Sequence, residues 1–164
     1  MSALAGPIIA NNTPLVALAL LNHLDLLRDL YGEVLIPLAV RAEFLDFAPS
    51  ARLQVLAAAH WIKPMAVTST TLVRGLTGLD RGEAEVLALA QEQQARLVIV
   101  DERKARRMAR RMGFAITGTL GVLLLAKEQG LITALRPLLD ALQASGFFLD
   151  ESLVWTTLAV AGEA

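Results

Sequence analysis

Residues 80–117 read DRGEAEVLALAQEQQARLVIVDERKARRMARRMGFAIT. Asp80 to Gln94 carries apolar residues at helical spacing and predicts a helix, and the apolar run Leu97 to Val100 predicts a buried strand. Glu102 to Met112 predicts a second helix, stopped by Gly113, and Phe114 to Thr117 a second strand. Alternation of this kind implies an α/β fold with a parallel sheet.

Upstream, Pro7 to Asn11 reads as a short buried strand, and Asn12 or Thr13 followed by Pro14 as a helix cap with proline in the first turn. Apolar positions continue through Leu30 with a break near Asn22 and His23. Gly32 then stops the helix before a strand at Glu33 to Ile36, completing a βαβ unit. Pro37 opens a helix that ends around Phe47 to Pro49, Ser50 caps another running to about His60, and Trp61 to Val67 reads as extended. The Thr-, Ser- and Gly-rich stretch Thr68 to Gly78 is expected to be a long, mobile connection. Beyond Gly118, helices are expected at about Thr119 to Gln129, Thr133 to Ser145 and Glu151 to Val160.

Composition narrows the function classes. A length of 164 residues fits one domain, 1–164, with a core that needs no disulfide. The 55% hydrophobic content is high for a lone soluble protein, so part of it is expected at a subunit or partner interface. No apolar run approaches the roughly 18 residues of a membrane span, and the N-terminus lacks a basic segment ahead of an apolar one, so a cytoplasmic protein without a membrane role is expected. The absence of cysteine excludes thiolate zinc sites and thiol nucleophiles, and two histidines argue against a histidine-rich metal site. No Gly-x-Gly-x-x-Gly or Walker loop follows a strand, and no serine elbow accompanies His23 or His60. With a net charge of −1 there is no global attraction for nucleic acid, so such binding would need a local cluster.

In open parallel sheets ligands bind beyond the carboxyl ends of the strands, which singles out Asn11 and Asp101. Asp101 follows Leu-Val-Ile-Val directly; taken alone it also suits a cap for the helix 102–112. Glu43 falls inside the helix after Pro37, where a glutamate is ordinarily a solvated side chain. Asp80 and Glu83 fit a capping box, but Glu83 shares its side of the helix with Val86, Leu87 and Ala90 and so points toward the packed face, whereas Glu85 falls on another side.

The order of these segments is Ile-Ile-Ala-Asn-Asn-Thr-Pro-Leu (8–15), Ile-Pro-Leu-Ala-Val-Arg-Ala-Glu (36–43), Gly-Glu-Ala-Glu (82–85), Val-Ile-Val-Asp-Glu-Arg (98–103) and Thr-Gly-Thr-Leu-Gly-Val-Leu (117–123). It resembles the PIN domain and, more narrowly, the bacterial DUF3368 family, over nearly the whole chain. The resemblance implies a three-layer α/β/α sandwich with a central, mostly parallel sheet. It also implies a metal-dependent ribonuclease, the toxin of a toxin–antitoxin pair, with a small antitoxin as partner. Carried over, the acidic positions are Asn11, Glu43, Glu83 and Asp101, with Thr13 at the family's hydroxyl position; the separation of Glu83 from Asp101 favours Glu83 over Glu85. Asn11 departs from the pattern, because an amide brings one carbonyl oxygen and no charge. A second reading therefore stays open, a catalytically reduced PIN-like module that binds nucleic acid or protein.

Carboxylates crowded at one rim repel each other unless a cation neutralises them, and oxygen-only ligands point to Mg²⁺ or Mn²⁺. On this expectation Glu43, Glu83 and Asp101 bind the metal, while Asn11 and Thr13 position a water or a phosphate oxygen. After Asp101, Arg103, Arg106, Arg107, Arg110 and Arg111 share one helical stripe opposite Ala105, Met108, Ala109 and Met112, a face suited to RNA phosphates. Trp61, Trp155, Phe147 and Phe148 read as core or interface residues rather than base-stacking platforms. Leu153, Val154, Trp155, Leu158 and Val160 leave the last helix little polar surface, which suggests a homodimer or a partner protein.

Overall fold

The apolar runs form a single sheet of β1 (Ile8–Ala10), β2 (Val34–Pro37), β3 (Ile62–Met65), β4 (Leu97–Ile99) and β5 (Ile116–Thr117), in the order β3-β2-β1-β4-β5. Every neighbouring pair is parallel. The structure, a computed structural model, describes residues 5–164; residues 1–4, which begin the N-terminal stretch read as lacking a leader, lie outside it. β1 and β2 are buried along their whole length, which is why they read as continuous apolar runs rather than alternating ones. β3 lies at the sheet edge and exposes Lys63 and Pro64, residues that discourage a further strand from adding there.

Ten helices are described: α1 (Asn12–Leu20), α2 (Asp25–Tyr31), α3 (Leu38–Leu45), α4 (Pro49–Ala58), α5 (Thr70–Gly75), α6 (Arg81–Gln93), α7 (Arg103–Arg111), α8 (Thr119–Glu128), α9 (Arg136–Ala144) and α10 (Glu151–Val160). α6 packs on β1, β2 and β4 and touches α3, α5 and α7; α8 packs on β5 and touches α1, α2 and α10. The result is a three-layer α/β/α sandwich around a core that includes Leu15, Leu18, Leu27, Phe44, Leu87, Leu89, Leu123 and Leu135. Among the described residues no helix is long and apolar enough to cross a membrane.

Three local expectations are corrected. The stretch 68–78 contains α5: Ser69 Oγ accepts from Leu72 N at 3.3 Å, and Glu92 on α6 accepts from the Thr68 N–H and hydroxyl, both at 2.9 Å. Its polar residues are helix caps and anchors, so it is not an open connection. Ser50 lies inside α4, which starts at Pro49 after Ala48 turns through a left-handed φ of 47°. α9 begins at Arg136, not Thr133, with Pro137 in its first turn. The break near Asn22 falls as expected between α1 and α2, with Asn22 at φ 56°.

The strand order decides where a ligand would bind. From β1 the chain steps outward through β2 to β3, then returns to the other side of β1 as β4 and β5. The reversal opens a crevice beyond the carboxyl ends of β1 and β4. Asn11 stands at one lip, its N–H bonded to Ile99 O at 2.9 Å, and residues 101 and 102 stand at the other.

Candidate active site

Asn11 occupies the N-cap of α1 with an extended backbone, where an asparagine side chain would ordinarily accept a bond from the first turn. It makes no such bond. The side chain is only 4% exposed, and its Oδ1 is buried without a partner. A methyl group on Gly82 would lie 3.2 Å from Glu43 Oε2, 3.5 Å from Asp80 Oδ1 and 3.7 Å from Asn11 Oδ1. Oxygen atoms from β1, α3 and the start of α6 thus surround one small space, and glycine at position 82 keeps it open.

Glu83 is nearly buried, and the capping box expected of it is present: Asp80 Oδ1 accepts from Glu83 N at 2.8 Å, and Glu83 Oε1 accepts from Asp80 N at 3.0 Å. Its carboxyl is raised above the usual range, first by burial, against the lowering effect of the Asp80 N–H, and then by repulsion from Asp80 and Glu102. Glu43 keeps part of its side chain in solvent. Its carboxyl is also raised, first by partial desolvation and then by Asp80, Asp46 and Glu102. Glu43 and Glu83 therefore share the repulsion of Asp80 and Glu102, and Thr13 Oγ1 donates to Glu102 Oε1 at 3.4 Å.

Asp101 is turned elsewhere. Its Oδ1 accepts from Thr119 N at 2.8 Å and its Oδ2 from Thr119 Oγ1 at 2.6 Å, so it caps α8 and not the helix 102–112. Gly118 makes room for this, since a methyl group there would run into Asp101 Oδ1. Arg106 closes the turn by donating to Val100 O at 2.9 Å. Glu85, the neighbour set aside in favour of Glu83, accepts from Ala39 N at 3.2 Å and pairs with Arg81 at 3.0 Å, tying α6 to the start of α3.

The structure thus brings Asn11, Glu43 and Asp80 together, with Glu83 and Glu102 electrostatically coupled to them, while both Asp101 oxygens accept from Thr119. As the side chains stand, no group of three His, Asp or Glu residues among the described residues is arranged to hold a metal ion. The donor chemistry nevertheless fits a hard divalent ion: oxygen atoms only, carboxylates that repel one another, and an orphaned amide oxygen aimed at the same space. The residues that could hold it are Asn11, Glu43 and Asp80, with Glu83 and Glu102 through water. Sequence reasoning did not single out Glu102 and treated Asp80 only as a cap, yet both raise the carboxyls of Glu43 and Glu83. The available signal was the adjacent acid pair at 101–102, of which one member was bound to be drawn to the following helix.

Two grooves adjoin the cluster. One, of about 1090 Å³, is lined by Glu43, Asp80 and Gly82 together with Asp46, Val73 and Arg74. The other, of about 1080 Å³, has Thr13 and Glu102 beside Arg103, Arg106 and Arg110 of α7, and faces Phe148 and Leu153. Among the described residues no ion pair involves α7, and Arg103, Arg107, Arg110 and Arg111 are exposed. Arg106 is half-buried; desolvation and then Arg110 lower its basicity, partly offset by Asp101. Of the aromatic residues, Trp61 packs as expected, donating to Leu24 O at 3.2 Å beneath the Arg28 guanidinium, and Phe147 rests on the core. Phe148 does not belong to the core, being 87% exposed.

No curated protein matches the chain. A family model does, and it accounts for the fold and for the segments 8–15, 36–43, 82–85, 98–103 and 117–123 together, since it spans residues 7–163. The chain belongs to the DUF3368 family of PIN domains.

Proposed function

We propose that this PIN domain is a metal-dependent ribonuclease that hydrolyses RNA phosphodiester bonds at the crevice between β1 and β4. The observation that carries the proposal is the buried, unpartnered Asn11 Oδ1 facing Glu43 Oε2 and Asp80 Oδ1 across the space kept open by Gly82. A buried polar atom without a partner costs about 1–3 kcal/mol, a cost offset when a ligand completes the site. Glu43, Asp80 and Asn11 would hold Mg²⁺ or Mn²⁺ directly, and Glu83 and Glu102 would add charge through water. When bound, the ion supplies a water activated for attack and charge stabilisation at the phosphate. The chain contributes the rest. Thr13 orients Glu102 at the lip, and Arg103 and Arg110 draw the RNA backbone in and neutralise it. Asp101 is a positioning residue, fixing α8 and the turn from which Glu102 projects.

The second reading, a binding module with reduced catalysis, is favoured by the neutral Asn11 and by the lack of three acidic side chains already gathered around one point. Labelled RNA incubated with Mn²⁺ separates the two. The nuclease reading expects cleavage that stops in EDTA and in Glu43→Gln while RNA binding persists; cleavage unaffected by Glu43→Gln sinks it, and binding without cleavage in the wild type establishes the rival. A partner protein or second copy belongs to the same proposal, supported by Trp155 and Val160, which α10 leaves 66% and 64% exposed outside the α7 groove.

A further inference from the structure

Phe148 is the most exposed large apolar side chain described, at 87%, on the short loop between α9 and α10. Exposure here does not come from a loose loop. Gly146 N bonds Gln143 O and Phe147 N bonds Leu142 O, both at 3.0 Å, Phe147 packs on the core, and Asp150 caps α10 by accepting from Leu153 N at 3.0 Å. The loop is pinned on both sides of Phe148, so the ring is presented to solvent by a held backbone. It lines the same groove as Arg103, Arg106 and Arg110.

The charges of that groove are uneven in availability. Asp101 is committed to the α8 N-terminus and Asp150 to that of α10, while Glu102 accepts from Thr13 and repels the Glu43 carboxylate. Among the described residues the α7 cations have no ionic partner. A groove lined by arginines without an ion-pair partner and by a held, exposed aromatic ring, and bordered by Glu102, is complementary to a strand that alternates anionic and flat apolar groups. At about 1080 Å³ it exceeds the roughly 300–1,000 Å³ of drug-sized pockets, leaving room for more than one nucleotide.

We infer that Phe148 is a base-stacking platform that, together with Arg103 and Arg110, fixes one unpaired nucleobase of the RNA strand beside the acidic cluster. This rests on the ribonuclease reading and adds to it a position where the base itself matters. A paired base has both faces covered in its duplex, so the subsite selects single-stranded or bulged positions. Phosphates on the arginines give affinity without regard to sequence, and the ring sets the register.

The test is fluorescence anisotropy in EDTA, without cleavage, on the full chain with a short fluorescein-labelled oligoadenylate and a set of the same oligomer carrying one abasic nucleotide at successive positions. The expected result is one position at which base removal weakens binding by roughly 5- to 150-fold, the range of one aromatic–base stack. That dependence should vanish in Phe148→Ala, persist in Phe148→Trp, and leave the salt dependence conferred by α7 intact. Salt-dependent binding lost in Arg103→Ala/Arg110→Ala but indifferent to abasic position overturns the subsite and leaves the RNA reading standing. Absence of any oligomer binding overturns both. A Phe148→Ala chain that changes self-association in sedimentation, with no change in position dependence, assigns the ring to a protein interface and also overturns the inference.

Discussion

The roles proposed for Asp101 and Glu102 yield the sharpest prediction. In Asp101→Ala the N–H and hydroxyl of Thr119, a residue 1% exposed, both lose their acceptor. At about 1–3 kcal/mol per stranded group the loss is about 2–6 kcal/mol, or a fall in Tm of about 4–24 °C for a chain of this length. Glu102 is exposed, so Glu102→Gln should leave stability within about 0.5 kcal/mol. Metal affinity should respond the other way. A carboxylate acting on a divalent ion at a nominal ~8 Å contributes from about 1 kcal/mol in bulk dielectric to about 4 at an effective dielectric near 20, so Glu102→Gln should weaken Mn²⁺ binding at least about fivefold. Calorimetric titration with Mn²⁺ below the melting temperature, beside thermal melts in EDTA, reads both quantities. An Asp101→Ala chain that melts normally but binds no Mn²⁺, or a Glu102→Gln chain with unchanged affinity, would refute the reasoning.

Other consequences follow from the same geometry. Burial and neighbouring carboxylates raise Glu43 and Glu83, so without metal their ionisation opposes folding: the stability they contribute is present at low pH and is lost as pH rises from the ordinary glutamate value through the raised ones. Mn²⁺ affinity should correspondingly begin to fall, on acidification, at a pH above the ordinary glutamate range, and titrations at successive pH values check this. Asn11→Asp should lower the Tm in EDTA, because a buried charge joins Glu43 and Asp80, and should raise Mn²⁺ affinity in calorimetry; unchanged or weaker binding would remove residue 11 from the site. Glu163 accepts from Leu135 N, Arg136 N and Lys127 Nζ and is lowered to about 2, so its stabilisation is present above the ordinary glutamate range and is lost as pH falls toward 2. Chemical denaturation of Glu163→Gln should show a shallower acid loss than the wild type.

The fold was legible because the three central strands, β1, β2 and β4, are short, apolar and flanked by helices with their own stop or start. Leu97 to Val100 illustrates it: the strand is assigned to Leu97–Ile99, yet Val100 N continues the ladder to Thr117 O at 2.8 Å. Where the reading of 68–78 failed, the cause was polar residues with a distant partner. Thr68 and Ser69 look like loop chemistry until Glu92, on another helix, takes their N–H groups. No window of neighbouring residues contains that carboxylate.

The candidate site was half legible for the same reason. Segment order and helical face single out Glu43 and Glu83, and both carboxyls feel the repulsion of Asp80 and Glu102. Glu85 was set aside for the face it occupies, and it anchors α3 instead. Asp101 and Glu102 present the harder case, because successive residues at a strand end point in different directions and both border the same groove. What distinguishes them is Thr119, at the start of the second helix beyond them, whose buried N–H and hydroxyl both donate to Asp101. Gly118 was the visible sign of that demand, since a glycine preceding a helix cap makes room for a side chain from elsewhere. On the proposed reading, an acid pair followed by a Thr-Gly-Thr segment divides its work: Asp101 accepts from the first residue of α8, and Glu102 stays free to act on the carboxylates of the crevice.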